Sequence, residues 1–313
     1  MRAAVISDLG RLPVLSDRPN PSGEAIYAVS AVSLNPVDVN IGAGRYFGGH
    51  PELPYIPGCE GVGLAPDGTR VYLFGEGLGI SRDGLLAERA VAPAGLGIPL
   101  PDGVPDEIAA SCGIAGMAGW MPVAWRAPVR KDDRVLVLGA TGTVGLVAVQ
   151  AAKLLGAQRV VAVGRNRERL ERAAGLGADA TVSLEEDDLV GALKQAAGGN
   201  GPTYIVDTLW GPPAAAALQA AAPGWRLVQI GQSAAAEVPL ASAVIRGKMG
   251  EIYGYTDFAV PANEFREHYL RLVGHAAAGE VVFDLATYPF DRIAEAWQRQ
   301  ANGPNAKIVV TVT

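Results

Sequence analysis

The sequence predicts an α/β protein in which a β-rich domain accompanies a doubly wound parallel sheet. Three observations carry this prediction. Short β-rich segments fill residues 2–91, a buried strand runs into a glycine-rich turn at residues 134–145, and strand and helix patterns then alternate as far as residue 231. Alternation of this kind is typical of parallel strands with helices on both faces of the sheet.

Composition limits the classes of function. The chain has 313 residues and 49% hydrophobic content, which is enough for two domains with a substantial core. No apolar run reaches the roughly eighteen residues that span a bilayer, and the first residues lack the apolar segment of a secretory signal. We therefore expect a cytoplasmic protein with no membrane partner. A net charge of -6 argues against general affinity for nucleic acid.

The first part of the chain is predicted to be β-rich. Alternating or β-rich segments lie at residues 3–6, 25–33, 61–65, 70–74 and 85–91, separated by Pro and Gly. Residues 34–61 contain too much Gly and Pro for regular structure, yet they carry many polar side chains, which is typical of a long functional loop. A linker at residues 92–105 leads into a helix that begins at Asp106 and carries Cys112.

A glycine-rich turn separates a strand at residues 135–138 from a helix at residues 143–155. Its pattern is G-x-x-G-x-x-G, with alanine where the first glycine of the usual dinucleotide fingerprint would fall. Glycine lets the backbone approach a pyrophosphate, and the free N–H groups and dipole of the following helix offer donors to it. A tight turn without a ligand is the alternative. The predicted phosphate-binding residues are Gly139, Ala140, Thr141, Gly142, Thr143, Val144 and Gly145.

Strands and helices alternate after this turn. We predict strands at residues 159–163, 180–183, 203–208 and 225–231, and helices at residues 167–175, 184–197 and 212–222. The acidic run at residues 185–188 follows a predicted cap at Ser183, and we interpret it as dipole complementarity at a helix start. Residues 262–278 predict a long helix, followed by a strand, a helix at residues 291–302 and a closing strand at residues 307–312. We interpret this last part as a return to the first domain.

The chain resembles the medium-chain dehydrogenase/reductase superfamily, and within it the zinc-free quinone oxidoreductase-like branch. The resemblance rests on four linked stretches in the right order and spacing: SLNPVDVNIGAGRY, LPYIPGCEGVG, VLVLGATGTVGLVAVQAAKLLGA and VVAVGRNRERLERAAGLGADA. It covers essentially the whole chain, including VDTLWG near Asp207 and AKIVV near Lys307. It implies a Rossmann domain at residues 108–252, inserted into a GroES-like β-rich catalytic domain built from residues 1–107 and 253–313.

Many members of this superfamily carry a catalytic zinc held by Cys, His and Cys side chains. The resemblance puts Asn35 at the first of these positions, Cys59 at the second, and Ile114 at or beside the third. One thiolate with an amide makes a poor zinc site, so we predict no metal. A site built from Cys59, Cys112 and His50 is the alternative. The two cysteines cannot form a disulfide framework, which fits a reducing compartment.

The end of the second parallel strand predicts which nicotinamide cofactor binds. An acidic residue there would accept hydrogen bonds from the ribose 2'-OH and repel a 2'-phosphate. The chain instead has Gly164, which leaves room, and Arg165 and Arg169, whose planar guanidinium groups match phosphate oxygens. We therefore predict NADPH, and we expect Gly164→Asp to favour NADH. The alternative is a solvated helix start in which the arginines pair with Glu168 and Glu171. The resemblance adds two residues near later strand ends to the cofactor site, Asp207 and Gly231.

Chemistry without a metal needs hydrogen-bond donors for the substrate, because the nicotinamide carries the reactive atom. Quinones and enones suit such chemistry, since their developing negative charge is delocalised. By the resemblance, Tyr46 matches a tyrosine of the substrate cleft and is the predicted donor, supported by Asn35 and Asn40. Asp38 and Glu60 are expected to orient the loop and cleft. A packing role for Tyr46 is the alternative.

The predicted function is therefore NADPH-dependent reduction of a quinone or of the double bond of an α,β-unsaturated carbonyl compound. The alternatives are a dehydrogenase acting on an alcohol or ketone, and a non-catalytic NADPH-binding protein. Relatives commonly pair through an edge strand of the nucleotide domain. We expect a homodimer through residues 251–255, EIYGY, which would expose unpaired backbone groups if left at an edge.

Overall fold

A computed structural model of the chain describes residues 1–23 and 25–312. By the contacts between its residues, the described chain divides into two compact units. The first unit takes in residues 1–115, 269–277 and 283–312, and the second takes in residues 116–268 and 278–282. The breaks after residues 115 and 268 lie somewhat later in the chain than the expected domain boundaries at 107/108 and 252/253.

The strands and helices are numbered in chain order. The strands are β1 Arg2–Val5, β2 Val14–Asp17, β3 Ala25–Leu34, β4 Glu60–Leu64, β5 Arg70–Phe74, β6 Arg89–Ala92, β7 Ile98–Pro99, β8 Arg134–Leu138, β9 Arg159–Gly164, β10 Ala180–Ser183, β11 Tyr204–Asp207, β12 Arg226–Gln229, β13 Glu251–Gly254, β14 Leu285–Pro289 and β15 Lys307–Thr311. The helices are α1 Pro36–Gly42, α2 Asp106–Ser111, α3 Met117–Met121, α4 Thr143–Leu154, α5 Arg167–Gly175, α6 Leu189–Ala196, α7 Gly211–Ala220, α8 Ser242–Arg246, α9 Ala262–Ala277 and α10 Ile293–Ala301.

The second unit is built on a parallel sheet in the order β10-β9-β8-β11-β12-β13. Its central strands are apolar runs whose successive residues are all buried, as expected of strands that are covered on both faces. The strand order reverses between β8 and β11, which is where open α/β sheets bind ligands. Leu138 pairs with Val163 on one side and with Asp207 on the other, so three carboxyl ends lie at one edge.

The first unit contains a sheet in the order β14-β15-β3-β4-β5-β7, with β6 also paired to β3. Its neighbours are antiparallel except for the parallel pair β14 and β15. Strand β15, from the end of the chain, places Ile308 opposite Leu34 of β3. The closing strand of the chain therefore lies in the sheet of the first unit.

The segment at residues 34–61 is more regular than predicted, because helix α1 begins within it. Pro36 occupies the first helical turn, where its missing N–H costs nothing. The carboxylate of Asp38 accepts a hydrogen bond from the backbone N–H of Asn35 at 2.8 Å, which satisfies one of the donors left at the helix start. These local signals outweigh the high Gly and Pro content of the surrounding loop.

Helix α6 begins later than predicted, at Leu189 rather than residue 184. Its cap is Asp188, whose carboxylate accepts from the backbone N–H of Gly191 at 2.9 Å. Ser183 instead accepts from the N–H of Glu185 in a turn after β10. Helix α2 ends at Ser111, and the helical stretch that begins at Asp106 continues through Cys112, as predicted.

Residues 106–126 form one helical stretch made of consecutive short segments. By length and composition alone, the whole stretch is long and apolar enough to cross a membrane. The expectation that no stretch of the chain would reach this length is therefore wrong for these residues. Most of the stretch is buried within the protein. The core helix of a soluble protein meets the same criterion, so this feature is weak support for a membrane span.

Candidate functional site

The three glycines of the turn between β8 and α4 meet different steric demands. Gly139 has a φ of 81°, and a side chain there would also collide with the hydroxyl of Thr208. A Cβ on Gly145 would lie 2.6 Å from the Cα of Ala140, so this glycine lets α4 pack closely on the turn. A Cβ on Gly142 would meet nothing nearer than 3.8 Å. The backbone at Gly142 therefore borders open space, as phosphate binding requires.

The backbone N–H groups of this turn divide into two sets. Gly139 and Ala140 both donate to the carbonyl of Val163 at 3.0 Å, so they fix the turn against β9. Helix α4 begins after its cap, Gly142, and the N–H groups of its first turn have no carbonyl acceptor within the helix. The donors that remain for an anion by helix geometry are those of Thr143, Val144 and Gly145.

Gly164 ends β9 directly beside this turn. A Cβ added to Gly164 would come closer than 3.0 Å to the Cγ2 methyl of Thr141, a distance that real Cβ atoms essentially never show. Arg169, on the first turn of α5, donates from Nε to the carbonyl oxygen of Thr141 at 3.2 Å. The structure therefore brings together Thr141, Gly164 and Arg169, which were predicted to bind the cofactor.

The other arginines of this segment lie in different surroundings. Arg165 is exposed immediately after β9. The Arg167 side chain is 94% exposed, and its Nε lies 3.4 Å from a carboxylate oxygen of Glu171 one turn later. The alternative, in which the arginines form solvated ion pairs at a helix start, holds for Arg167 and Glu171. It does not hold for Arg169, which is half-buried against the glycine turn.

Asp207 ends β11 next to the turn and is fully buried. Its Oδ1 accepts from the backbone N–H groups of Leu209 and Trp210, each at 2.9 Å. Its Oδ2 is buried and has no hydrogen-bond partner among the described residues. Burial raises the pKa of Asp207 to about 6, although the two backbone hydrogen bonds act in the opposite direction. A buried acceptor without a partner indicates a ligand or water that supplies a donor.

Gly231, predicted to belong to this site, packs against the loop that follows Asp207. Its N–H donates to the Asp207 carbonyl at 3.4 Å, and a Cβ at this position would lie 2.8 Å from the carbonyl oxygen of Thr208. The Thr208 hydroxyl in turn donates to the carbonyl of Leu138 at 2.9 Å. The predicted cofactor residues of β8, β11 and β12 therefore meet at the edge formed by the carboxyl ends of these strands.

The first unit contains a buried polar cluster around Glu60. One Glu60 oxygen accepts from the Ser33 hydroxyl at 2.5 Å and from the Asn35 amide at 2.7 Å. The other accepts from the Tyr72 hydroxyl and the Ile114 N–H, both at 2.6 Å. These five residues, with Lys307, form what we call the Glu60 cluster.

Lys307 supplies the buried cation of the Glu60 cluster. Its Nζ donates to the Asn35 Oδ1 at 2.5 Å and to the Leu34 carbonyl at 2.9 Å, and it lies 3.6 Å from Glu60. Burial lowers the pKa of Lys307, and the charge of Glu60 opposes that shift. This role of Lys307 was not predicted from the sequence. A single lysine at the start of an apolar strand was nevertheless a signal of a buried partner, because a lysine is rarely buried unless it is paired.

Tyr46 and Asn40, the other predicted donors, lie on or just after α1. Tyr46 is half-buried, and its ring packs on the core of the first unit and lies 4.6 Å from the ring of Phe47. Burial raises the pKa of Tyr46, with a smaller contribution from Cys59, so its hydroxyl keeps its proton at neutral pH. Asn40 is also half-buried, and its side-chain oxygen accepts from Arg45 at 3.4 Å.

The positions that the resemblance assigns to zinc ligands carry a different donor set. Asn35 is bonded to Lys307 and Glu60, and Ile114 offers only backbone. Cys59 is buried and its N–H donates to Asp38, while burial raises the pKa of its thiol well above the ordinary value. No group of three His, Cys, Asp or Glu side chains suited to a metal occurs within residues 1–23 and 25–312. A buried ammonium group beside Asn35 also disfavours a second cation there.

One family matches part of this chain, and individual known proteins resemble it over nearly its whole length. The family described as zinc-binding dehydrogenase matches residues 143–274. The chain is 28% identical to a phenolphthiocerol/phthiocerol polyketide synthase of Mycobacterium tuberculosis over 99% of its own length, but it spans only 15% of that protein. It is 26% identical to quinone oxidoreductase of Homo sapiens, with 98% of this chain and 95% of that protein covered.

A solved structure shares the fold throughout. The quinone oxidoreductase from Thermus thermophilus, whose structure was determined alone and in complex with NADPH, superposes with a TM-score of 0.82. The two sequences are 27% identical, and all of both chains is covered. The arrangement of a Rossmann domain inserted in a GroES-like domain, expected from the sequence, is therefore confirmed.

Proposed function

We propose an activity for this chain from the premise that it belongs to the medium-chain dehydrogenase/reductase superfamily, in the quinone oxidoreductase-like branch. The proposed activity is transfer of hydride from NADPH to a quinone or to an α,β-unsaturated carbonyl compound, without a metal. Support comes from the cofactor site of the second unit, the donor set of the first unit, and the quinone oxidoreductases among the relatives.

The residues of the second unit fit a nicotinamide dinucleotide. The first-turn N–H groups of α4 and the open space at Gly142 would hold the pyrophosphate. The unpartnered Oδ2 of Asp207 would accept a hydrogen bond from a donor of the cofactor or from a water beside it. When bound, NADPH supplies the hydride, and the chain has to hold and orient it.

The observation that carries the choice of NADPH is the arrangement of Thr141, Gly164 and Arg169. No side chain extends from Gly164, so no carboxylate is present there to repel a 2'-phosphate. The Arg169 guanidinium group is held at the rim of the turn by its bond to the Thr141 carbonyl, and exposed Arg165 is close in sequence. Both can donate charge-assisted hydrogen bonds to a phosphate.

Zinc does not fit the first unit, and we propose a reaction that does not need it. Of the three positions that the resemblance assigns to zinc ligands, Cys59 alone offers a soft ligand, and its thiol is buried and protonated. Lys307 already places a positive charge against Asn35. The polarising role that zinc has in zinc-dependent members of the superfamily therefore falls to hydrogen-bond donors.

We assign different tasks to the three predicted donors. Tyr46 is protonated at neutral pH and is proposed to donate to the carbonyl oxygen of the substrate, with Asn40 of α1 as a second donor. Both amide hydrogens of Asn35 are committed, one to Glu60 and one to the Ser33 carbonyl at 3.3 Å. Asn35 is therefore proposed to position the start of α1 rather than to contact substrate.

The experiment measures NADPH oxidation by the full chain with panels of quinones, enones, ketones and alcohols. We expect turnover with the first two panels. Tyr46→Phe should lower kcat/KM by about tenfold or more, the loss of one hydrogen bond to a developing charge. The matched control is Tyr27→Phe, which removes a hydroxyl that donates to the Pro93 carbonyl at 3.1 Å elsewhere in the same unit. It should leave kcat/KM within about twofold of wild type.

Each alternative gives a different result in this assay. Turnover of alcohols or ketones alone would assign the chain to that class of dehydrogenase. NADPH binding without turnover of any panel would make it a non-catalytic NADPH-binding protein. An equal loss of activity in the Tyr46 and Tyr27 variants would remove Tyr46 from the substrate site.

A further inference from the structure

The side chain of Thr141 occupies the space in which any side chain at position 164 would begin. A Cβ built on Gly164 would lie 3.3 Å from Thr141 Oγ1 and 3.4 Å from Thr141 Cβ, and closer than 3.0 Å to Cγ2. The Cγ2 methyl therefore occupies the position that a Cβ on Gly164 would need. Gly164 is therefore one half of a contact with Thr141, and not an independent position.

The backbone at Thr141 is held on both sides, so it cannot simply move away. The preceding residue, Ala140, donates to the Val163 carbonyl at 3.0 Å. The following residue, Gly142, caps α4 and donates to the Gly139 carbonyl at 3.2 Å. The Thr141 carbonyl itself accepts from Arg169. Threonine is branched at Cβ, which restricts its rotation about χ1.

We propose that Thr141 is a specificity-determining residue, and that its methyl group excludes side chains, carboxylates included, from position 164. This inference rests on the proposed function and deepens it, because the excluded carboxylate is the group that would bind a ribose 2'-OH and repel a 2'-phosphate. It also revises the expectation that Gly164→Asp alone would favour NADH. A carboxylate at position 164 needs a smaller residue at position 141.

The first experiment measures Tm of the nucleotide-free protein in matched single and double variants. Thr141→Ser removes the Cγ2 methyl and keeps Oγ1, whereas Thr141→Val keeps a methyl in that position. Because a held turn is overpacked, the Tm of Gly164→Asp should lie about 3 °C or more below that of wild type. The Tm of Thr141→Val with Gly164→Asp should lie below that of Thr141→Val by about the same amount. Thr141→Ser with Gly164→Asp should lie within about 1 °C of Thr141→Ser.

A further control separates the steric effect from the general cost of replacing glycine by aspartate. Gly175, the last residue of α5, is exposed, and a Cβ there would meet no atom within 4 Å. Gly175→Asp should therefore change Tm by less than about 2 °C, and adding Thr141→Ser to it should show no coupling.

The second experiment measures the Kd of NADPH and of NADH for the same variants by calorimetric titration. Gly164→Asp alone should bind both nucleotides more weakly, because the overpacked turn carries the pyrophosphate donors. Thr141→Ser with Gly164→Asp should bind NADH at least about tenfold more tightly than Gly164→Asp does, and should bind NADPH more weakly than wild type.

The outcomes separate this proposal from the proposed function. Suppose that the wild type prefers NADPH, but that the effects of the single substitutions at positions 141 and 164 simply add, both in Tm and in the logarithm of Kd for NADH. That result would overturn the role of Thr141 and leave the proposed function standing. A wild type that binds neither nucleotide, or that prefers NADH, would overturn the NADPH-dependent function and the specificity role with it. The Tm coupling in nucleotide-free protein would still decide whether Thr141 excludes a side chain at position 164.

Discussion

Arg169→Ala is the most direct perturbation of the proposed phosphate site. The substitution removes the guanidinium group that donates to the Thr141 carbonyl at 3.2 Å, while leaving the backbone in place. The backbone N–H of residue 169 keeps its bond to the capping Asn166 oxygen at 3.0 Å. Alanine is also the best helix former, so α5 should persist. The variant therefore tests the charge rather than the helix.

The expected magnitude follows from one charge-assisted contact at a half-buried group. Such a hydrogen bond contributes about 1.5–3 kcal/mol, and each 1.4 kcal/mol or so is a tenfold change in Kd. Partial exposure of Arg169 and screening by salt reduce this to the lower end. We expect Arg169→Ala to raise the Kd of NADPH about tenfold and that of NADH less than about threefold.

The assay is calorimetric titration of both nucleotides at low and high salt. Arg167→Ala is the matched control, because it removes the same charge from the same helix while its side chain is 94% exposed and paired with Glu171. It should change the Kd of NADPH less than about twofold. Equal weakening of NADPH and NADH by Arg169→Ala, or equal effects of the two variants on NADPH, would refute the assignment of Arg169 to the 2'-phosphate.

Three further predictions concern metal, pH and assembly. The purified protein should contain well below one zinc per chain and keep its activity in chelator; about one zinc per chain, with activity lost on its removal, would instead make Cys59 a ligand. Burial raises the pKa of Asp207 to about 6, so the folded protein binds this proton more tightly than the unfolded chain does. The proton therefore contributes up to about 3 kcal/mol to the free energy of unfolding at low pH, and this contribution is lost as pH rises through 6. Asp207→Asn should remove that decline from the free energy of unfolding measured in urea between pH of about 4 and 7, and a pH profile parallel to wild type would contradict the assignment. Because β13 ends its sheet and leaves one edge without a paired strand among the described residues, light scattering should show a homodimer, and a monomer at micromolar concentration would end that idea.

The sequence predicted the parallel sheet well because its strands are encoded locally. The runs that became β8, β9 and β11 are short, apolar and bounded by glycine or polar residues, and each predicted strand agrees with the structure to within a residue or two. Strands buried on both faces need little more than such a run. The glycine turn could be predicted for the same reason, because the spacing of its glycines reflects steric demands that arise within one strand–turn–helix unit.

Element boundaries were harder to predict where two local signals compete. Ser183 and Asp188 can both cap a helix, and the acidic residues between them suit a helix start in either case. The structure uses Ser183 in a turn and Asp188 as the cap. Helix α1 was missed for a related reason, since the Gly and Pro content of the whole loop concealed the signals of Asn35 and Pro36.

The chemistry of the first unit depends on a contact that no local pattern could predict. Lys307 bonds to Asn35 across 272 positions of sequence, because β15 pairs with β3. That single ammonium group bears on two separate expectations. It donates to the Asn35 oxygen that would face a metal. In the amide orientation that this contact fixes, both Asn35 N–H donors bond to Glu60 and to the Ser33 carbonyl, so neither is left for a substrate. Removing the Lys307 ammonium group should therefore shift the start of α1, and with it Tyr46, which follows this helix in the chain.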